Sequence, residues 1–319
     1  MLRSMYSGIS GMKNFQQKLD VTANNISNVN TFGFKKGRAT FKDMVSQQIA
    51  GATGPTDTSG GSNPRQVGLG TQLGSIDTIH TQGSLQNTNR ELDLGVSGDG
   101  FFMVGEHAEG WPDGDLEDIN LANEGANDVE EAYEGLNINY TRAGNFYLDE
   151  EGYIVNGDGR YLIGKTSTET ADLDDDGEDE LVGVEDVDDL NEEEIGRIQI
   201  LTNAESFSIG GDGSVSFVNA EGDLRVAGQI QLAQFPNAEG LEKIGDNLYQ
   251  ETDNSGERLE SNPGEDGSGE LVAGTLEMSN VDLSEEFTEM ITAQRGFQAN
   301  TRGITTADEV LQELMNLKR

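Results

Sequence analysis

Apolar residues recur every three or four positions over the first thirty residues and again over the last forty. In the first segment, with Gln16 in the one polar place, the repeat runs through Leu2, Met5, Ile9, Met12, Leu19, Ala23 and Ile26. This spacing places the side chains on one stripe of an α-helix and predicts a heptad seam. The Asn-rich run from Asn24 to Gly33 predicts the end of that helix and a turn, because Asn and Gly tolerate the left-handed conformation.

The C-terminal segment repeats the rhythm. Asp282 is a predicted N-cap, and Glu285, three residues later, completes the pattern of a capping box. The apolar seam positions of this helix are Leu283, Phe287, Met290, Phe297, Ile304, Leu311 and Met315. Alternate seam positions are polar, namely Gln294, Thr301 and Asp308. Polar seam residues weaken a helix pair but can fix its register.

Four glycines fall inside the two predicted helices: Gly8, Gly11, Gly296 and Gly303. Each costs about 1 kcal/mol relative to alanine, so we expect close packing between helices to compensate. One helix pair would still leave apolar side chains exposed, namely Phe15, Val21, Ile291, Val310, Leu314 and Leu317. Burying a side chain of this kind yields ~1.5–3 kcal/mol, so we expect copies of the pair to pack on one another. Identical contacts that do not close produce a helical filament.

The middle of the chain carries β signals. Alternating apolar residues, as in Leu92–Val96, are typical of strands, and Asp-Gly turns such as Asp99-Gly100 separate them. The predicted fold class is α+β, with paired N- and C-terminal amphipathic coiled-coil helices and a central mainly-β domain carrying acidic insertions. The predicted parts are a helical polymerisation domain of residues 1–45 and 281–319, a flexible connection of residues 46–65, a β-rich outer domain of residues 66–104, 138–165 and 196–280, and acidic insertions at 105–137 and 166–195.

The charge is distributed unevenly along the 319 residues. The chain has 20 Lys and Arg against 59 Asp and Glu, a formal net charge of −39. Residues 101–200 hold 30 of those acids, whereas the first 50 residues have a net charge of +5. Such acidity argues against non-specific binding of nucleic acid, which needs a cationic surface. No apolar run approaches the ~18 residues of a membrane-spanning helix, so no membrane insertion is expected. The start of the chain lacks the apolar core of a cleavable signal peptide.

One motif has the spacing of a metal site. Asp172, Asp174, Asp176 and Glu180 occupy positions 1, 3, 5 and 9 of a calcium-loop pattern, with Gly177 at the turn. Position 12 is Gly183, where an EF-hand needs a bidentate Glu. The pattern predicts a weak Ca²⁺ site, with a solvated acidic loop as the alternative. No other cofactor is predicted.

No catalytic constellation is predicted, and we expect a protein that is not an enzyme. The absence of Cys excludes disulfides and thiolate chemistry, and neither His80 nor His107 lies in a catalytic motif. Two other classes stay open. An acidic calcium-binding surface adhesin would explain the calcium pattern but not the terminal seams. A glycosidase would use paired carboxylates, but the acids here lie in polar runs without aromatic neighbours.

Four segments then stand out in order along the chain: Leu19–Lys36, Glu91–Phe102, Tyr140–Asp149 and Glu277–Asn300. They resemble signatures of the bacterial flagellar hook and rod protein family. The resemblance implies export through the flagellar type III apparatus and a place in the flagellar basal body or hook, outside the cell. It also implies a homopolymeric tube with terminal helices inside and β domains outside. The implied partners are copies of the chain and the rod, hook-cap and hook–filament junction proteins.

Within that family the two ends of the chain, Met1–Ser4 and Asn316–Arg319, are similar to those of hook subunits of Gram-positive bacteria. The resemblance therefore implies a hook subunit that joins rod to filament and transmits torque as a flexible joint. Distal rod subunits are similar in the same segments and are the alternative. The short insertion associated with the stiff distal rod is not evident at its expected place, Met44–Gly51.

Overall fold

The chain folds as two units, which we call the helical unit and the β unit. The helical unit comprises residues 1–29, 35–79 and 281–319, and the β unit comprises residues 30–34 and 80–280. The computed structural model describes residues 2–55, 60–107, 136–166, 170–171, 180–181, 183–184, 187, 190, 195–220, 222–265 and 267–317. The chain crosses between the units four times, so neither unit is continuous in sequence.

Two long helices form where the apolar rhythm predicts them. Helix α1 spans Leu2–Ser27, and helix α2 spans Leu283–Leu317. Asp282 is the N-cap, because its Oδ1 accepts hydrogen bonds from the backbone N–H groups of Ser284 (2.7 Å) and Glu285 (3.4 Å). The Glu285 carboxylate does not close the expected capping box; it pairs with Lys36 Nζ at 2.9 Å.

The two helices lie antiparallel, with glycines facing larger side chains. A Cβ on Gly8 would lie 3.1 Å from Ile304 Cγ1, one on Gly11 would lie 2.6 Å from Asn300 Nδ2, and one on Gly296 would lie 2.5 Å from Phe15 Cζ. The expectation that close packing compensates for the helical glycines is therefore confirmed for these three. It is wrong for Gly303 in the single chain, where no atom lies within 4 Å of an added Cβ.

The helical unit also contains a β-ribbon, made of β1 (Gly37–Asp43), β2 (Ser46–Ala50), β3 (Arg65–Gly68) and β4 (Thr71–Thr78). Strand β1 pairs antiparallel with β4, and β2 pairs with β3. The predicted flexible connection of residues 46–65 is wrong where β2 and β3 pair, and β4 belongs to this unit rather than to the outer domain. Every side chain of β2 and β3 is exposed, so backbone pairing builds the hairpin without the apolar alternation that reveals strands in a sequence.

Polar side chains hold the ribbon to α1. Asn14 Nδ2 donates to Thr71 Oγ1 at 2.8 Å, and the Thr71 N–H donates to Ser10 Oγ at 3.3 Å. At the other end of β1, Asn25 pairs with both backbone groups of Gly37 at 2.9 Å. The ribbon is thus fastened to the helix at both ends by hydrogen bonds rather than by an apolar core.

The β unit holds the remaining strands. These are β5 (Leu85–Asn87), β6 (Leu94–Ser97), β7 (Phe101–His107), β8 (Leu136–Thr141), β9 (Tyr147–Leu148), β10 (Ile154–Val155), β11 (Tyr161–Thr166), β12 (Thr170–Ala171), β13 (Glu180–Leu181), β14 (Ile195–Arg197), β15 (Ser206–Ile209), β16 (Ser214–Val218), β17 (Leu224–Ile230), β18 (Leu232–Gln234), β19 (Glu242–Gly245), β20 (Leu248–Gln250), β21 (Leu259–Ser261), β22 (Glu270–Ala273) and β23 (Thr275–Glu277). Thirteen of these described strands form one sheet with the central order β15-β16-β17-β11-β7-β8-β20-β19.

The core lies on both faces of that sheet. Along β7, Phe102 and Val104 belong to one buried cluster, and Phe101 and Met103 belong to another. Successive side chains of a strand point to opposite faces, so a continuous apolar strand is buried on both sides. The predicted acidic insertions lie largely outside the described residues. Within the second, β12 pairs with β13, and Leu190 packs in a small buried cluster with Val226.

A buried ion pair stands where the chain enters and leaves the β unit. Arg142 Nη1 lies 3.4 Å from Glu277 Oε2, with the two side chains 2% and 0% exposed. Arg142 Nη2 also donates to the Gly98 carbonyl at 2.9 Å, and Glu277 Oε1 accepts from the Gly83 N–H at 2.8 Å. Burial lowers the pKa of Arg142, while the carboxylate of Glu277 opposes that shift.

The loop that follows α1 packs against the same pair. The Gly33 N–H donates to the Glu277 carbonyl at 2.8 Å. Gly33 has a φ of 68°, and a Cβ there would lie 2.6 Å from the Ala143 nitrogen, so both conformation and space require glycine. All four segments that resemble the flagellar family therefore contribute to one buried site of the β unit.

We expect Arg142→Met to lower the free energy of unfolding of the β unit by ~3–5 kcal/mol, because it leaves a buried carboxylate without its cation. Urea unfolding followed by circular dichroism measures this. Arg38→Met is the control, since Arg38 is exposed and pairs with Asp77 at 3.7 Å; it should cost less than about 1 kcal/mol. Equal effects of the two substitutions would contradict the role given to the buried pair.

The two glycines of α2 provide a second test in the unassembled chain. Gly296→Ala should destabilise the helical unit by ~1–3 kcal/mol, because the new Cβ displaces the Phe15 ring. Gly303→Ala, one heptad away, should instead stabilise it by up to about 1 kcal/mol, since space is open and alanine favours the helix. Thermal unfolding followed by helical circular dichroism distinguishes the signs. Two stabilising substitutions would mean that α1 and α2 do not pair as described.

Candidate assembly surface

The glycine contacts between α1 and α2 lie one residue away from the predicted seam of α1. On α1 the contacts are made at Gly8, Gly11 and Phe15, whereas the predicted seam passes through Ile9 and Met12. One residue is about 100° of rotation around an α-helix. Glycine has no side chain and therefore lets two helix backbones approach closely, so the closest approaches follow the glycines. The apolar stripe of α1 runs beside these glycine contacts, and two predicted seam residues, Met12 of α1 and Ile304 of α2, also reach the other helix.

The structure leaves several of the predicted assembly residues at the surface. The exposed ones are Ile9, Leu283, Phe287, Phe297 and Met315, with Met315 73% exposed. The partly buried ones are Met5, Met12, Leu19, Ile26, Met290, Ile304 and Leu311. Two of these reach the other helix: Ile304 packs on Gly8, and Met12 Sδ accepts a hydrogen bond from Thr301 at 3.3 Å. Leu2 lies in α1, and its side chain lies outside the described residues.

Further apolar side chains on α2 are exposed, as expected for a single helix pair. Ile291 continues the spacing of Leu283 and Phe287 near the start of the helix, and we call these three the first patch. Val310, Leu314 and Leu317 form a second patch near its end, with Leu317 82% exposed. The expectation is wrong for Phe15, whose ring packs on Gly296, and Val21 is half-buried.

The β-ribbon carries an apolar surface that the sequence did not predict. Its exposed large side chains are Phe41, Val45, Ile49, Val67, Leu69 and Ile76. Clustered exposed apolar residues mark interaction surfaces, because burying them removes apolar area from water. Because these strands lack a recognisable apolar core, nothing in the sequence separates this surface from a loop.

Charged and polar groups lie beside the helix contact. Lys18 Nζ is 3.2 Å from Glu289 Oε2 on the partly exposed edge. Deeper in, Glu286 Oε2 accepts a hydrogen bond from Asn25 Nδ2 at 3.2 Å, and both side chains are buried. Burial raises the pKa of Glu286, and the hydrogen bond from Asn25 opposes that shift. Asn25 and Glu286 also line a small cavity of about 140 Å³ with Lys18 and Lys36, and this group can specify how the helices pair.

The predicted calcium ligands are not placed by the structure. Asp172, Asp174 and Asp176 lie outside the described residues, and of Glu180 only the backbone in β13 is described. The calcium site therefore stays a prediction. Elsewhere, within the described ranges, no group of three or more His, Asp or Glu side chains could hold a metal ion. In the same ranges, no helix has the length and apolar character needed to cross a membrane.

The histidines also show no catalytic arrangement. The His80 ring packs edge-on against Phe101 and Tyr249, with ring centroids 5.5 and 5.4 Å apart. The side chain of His107 lies outside the described residues. Large apolar side chains are exposed on the helical unit, and also at Leu224 and Leu259 of the β unit.

Three family models match the chain. The model for the flagella basal body rod protein matches residues 5–35, and the model for the C-terminal part of flagellar basal body rod FlgEFG proteins matches residues 272–317. The model for the D1 domain of flagellar hook protein FlgE/F/G matches residues 129–217, which include the second acidic stretch. Two of the four segments singled out in the sequence lie within these matches, Leu19–Lys36 lies within them except for Lys36, and Glu91–Phe102 lies outside them.

Complete relatives agree with the models. The chain is 49% identical to the flagellar basal-body rod protein FlgG of Bacillus subtilis over 320 residues, covering 100% of both chains. It is 33% identical to the FlgG protein of Buchnera aphidicola from Acyrthosiphon pisum, covering 99% of this chain and 100% of the relative. It is also 33% identical to the flagellar hook protein FlgE of Borreliella burgdorferi over 445 residues, covering 100% of both. The chain thus belongs to the flagellar hook and rod protein family of FlgE, FlgF and FlgG.

Proposed function

We propose that this chain is a structural, non-enzymatic subunit of the distal rod of the bacterial flagellum. The observation that carries the proposal is the 49% identity to a flagellar basal-body rod protein, which extends from end to end of both chains. An alignment of 320 residues to a chain of 319 leaves almost no room for segments that the rod protein has and this chain lacks. The whole architecture of the rod protein, and not one domain of it, therefore has a counterpart here.

The comparisons favour a rod subunit. The ends of the chain had instead suggested a hook subunit. The alignments to the hook proteins of Borreliella burgdorferi and Treponema pallidum run over 445 and 463 residues at 33% and 30% identity. Both hook proteins therefore contain long segments that this chain lacks. Short terminal sequences are similar in both groups and discriminate less well than the complete length.

The proposed mechanism is polymerisation through the helical unit. Each α2 presents two apolar patches that one chain cannot cover, and the ribbon presents a third apolar surface. Burying one such side chain against a neighbouring copy yields ~1.5–3 kcal/mol, and a repeated contact that does not close builds a tube. The partners would be copies of the chain and other axial proteins of the flagellum, reached after export by the flagellar apparatus.

Val310→Gln with Leu314→Gln tests the second patch of α2. We expect the variant to fold but to lose polymerisation and motility, because the contact loses the burial of two apolar side chains in every subunit. Electron microscopy of basal bodies and a motility assay measure this. Glu309→Gln with Glu313→Gln is the matched control, since these exposed residues lie on the same turns and receive the same side chain. Normal rods in the Val310 and Leu314 variant would contradict the role of the patch.

Basal bodies from a strain without the gene distinguish rod from hook. We expect rods that are cut short, because a distal rod subunit is needed before a hook can form. Complete rods without hooks would instead assign the chain to the hook and overturn the proposal. Normal flagella would mean that a second copy supplies the function, which deletion of that copy in the same strain would reveal.

A further inference from the structure

Glycine packing alone does not fix the register of the two helices. Phe15 packs on Gly296, but Gly303 lies one heptad further along α2 with open space around it. A slide of one heptad, about 10 Å, would bring Phe15 onto Gly303. The same slide would bring Gly11 opposite Ala307, another small residue, in place of Asn300. Two registers therefore satisfy the small-against-large pattern.

The buried polar group distinguishes the two registers. Asn25 is 2% exposed, and its amide oxygen accepts from the Gly37 N–H at 2.9 Å. Its amide nitrogen donates to the Gly37 carbonyl at 2.9 Å and to Glu286 Oε2 at 3.2 Å. After a slide of one heptad, Asn25 would face Ala293, and Glu286 would lie beyond the end of α1. The observed register is the one in which Asn25 meets the carboxylate.

We propose that Asn25 and Glu286 are the specificity pair of the helical unit, which selects one register of α1 against α2 and ties it to the first residue of β1. A single buried polar pair in a helix seam sets register because the wrong register leaves a polar group unpaired. Asn25 lies in the Asn-rich end of α1. The sequence predicted only a helix end and a turn there, with no role in assembly. The selection deepens the proposed rod function, since subunits in one tube must present their apolar patches identically.

Other charged groups face the pair without replacing it. Glu285 and Glu289 flank Glu286 on α2 and are bound by Lys36 at 2.9 Å and Lys18 at 3.2 Å. Both ion pairs are partly exposed, and such pairs contribute little to stability. Glu286 is the buried member of the cluster and is held by a neutral amide, so its hydrogen bond depends on where Asn25 stands.

Engineered disulfides read the register within one chain, because the protein has no native Cys. Gly11→Cys with Asn300→Cys reports the observed register: the added Cβ at position 11 lies 3.4 Å from Asn300 Cγ, where the new sulfur would stand. Gly11→Cys with Ala307→Cys reports the register shifted by one heptad. In the otherwise unchanged full chain we expect the 11–300 disulfide to exceed the 11–307 disulfide by about tenfold or more. Mass spectrometry of the monomer excludes links between chains.

Glu286→Leu should raise the 11–307 disulfide to a yield comparable with 11–300. Glu286→Gln keeps an acceptor for Asn25 and should leave the preference unchanged, as should the matched control Glu289→Leu on the exposed edge. A preference that survives Glu286→Leu would overturn the proposal. Loss of both disulfides in that variant would also overturn it, because the pair would then support folding without selecting a register.

Exchanging the amide of Asn25 and the carboxylate of Glu286 gives an independent test of the register. Asn25→Asp places a second carboxylate beside Glu286 and should favour the 11–307 disulfide. Adding Glu286→Gln to Asn25→Asp restores an amide opposite a carboxylate and should return part of the preference for 11–300, since the amide donor to the Gly37 carbonyl stays lost. Failure of this rescue would overturn the specificity role. The disulfide yields are measured on the monomer and need no polymer. A failure of the rod proposal, seen in the basal bodies, is therefore distinguishable from a failure of the register proposal.

Discussion

The pairing of Arg142 with Glu277 constrains the β unit more than any other single contact described here. Two charges without access to water are stable only when every neighbouring group is correctly placed. The pair is therefore surrounded by the Gly98 carbonyl, the Gly83 N–H and the Gly33 loop. These groups come from segments far apart in sequence, and several adjoin the points where the chain passes to the helical unit.

Different interactions hold the helical unit together. Its helices meet through glycines and hydrogen-bonded polar groups, while many of its large apolar side chains face outward. In an isolated protein this arrangement is unfavourable, because apolar area stays in water. In a polymer it is favourable, because the small and polar contacts set the geometry of one subunit and leave the apolar area for its neighbours. The β unit, with apolar clusters on both sheet faces, does not depend on that burial.

Helices with a strong apolar periodicity could be predicted from the sequence. Strands that form only through backbone pairing could not. Both helices and the Asp282 cap follow from local patterns that a sequence displays. Strands β2 and β3 could not be predicted, because their side chains are exposed and their pairing is a property of the backbone. The glycine contacts of α1 lie one residue from its apolar stripe, since a periodic pattern gives a rhythm but does not tell where the helix backbones approach closely. The close approaches at the glycines are distances between side chains and backbone that only the structure shows.

That displacement bears on how assembly is encoded. If the apolar stripe joined the two helices of one chain, little apolar area would remain to hold a tube together. Gly8, Gly11 and Gly296 make contacts within the chain, and Phe287 and Leu314 stay exposed, where the proposed polymer can cover them. Glycine costs helix stability at each of these positions. Close packing at these positions offsets that cost within one chain, because a Cβ at Gly8, Gly11 or Gly296 would press on the facing helix.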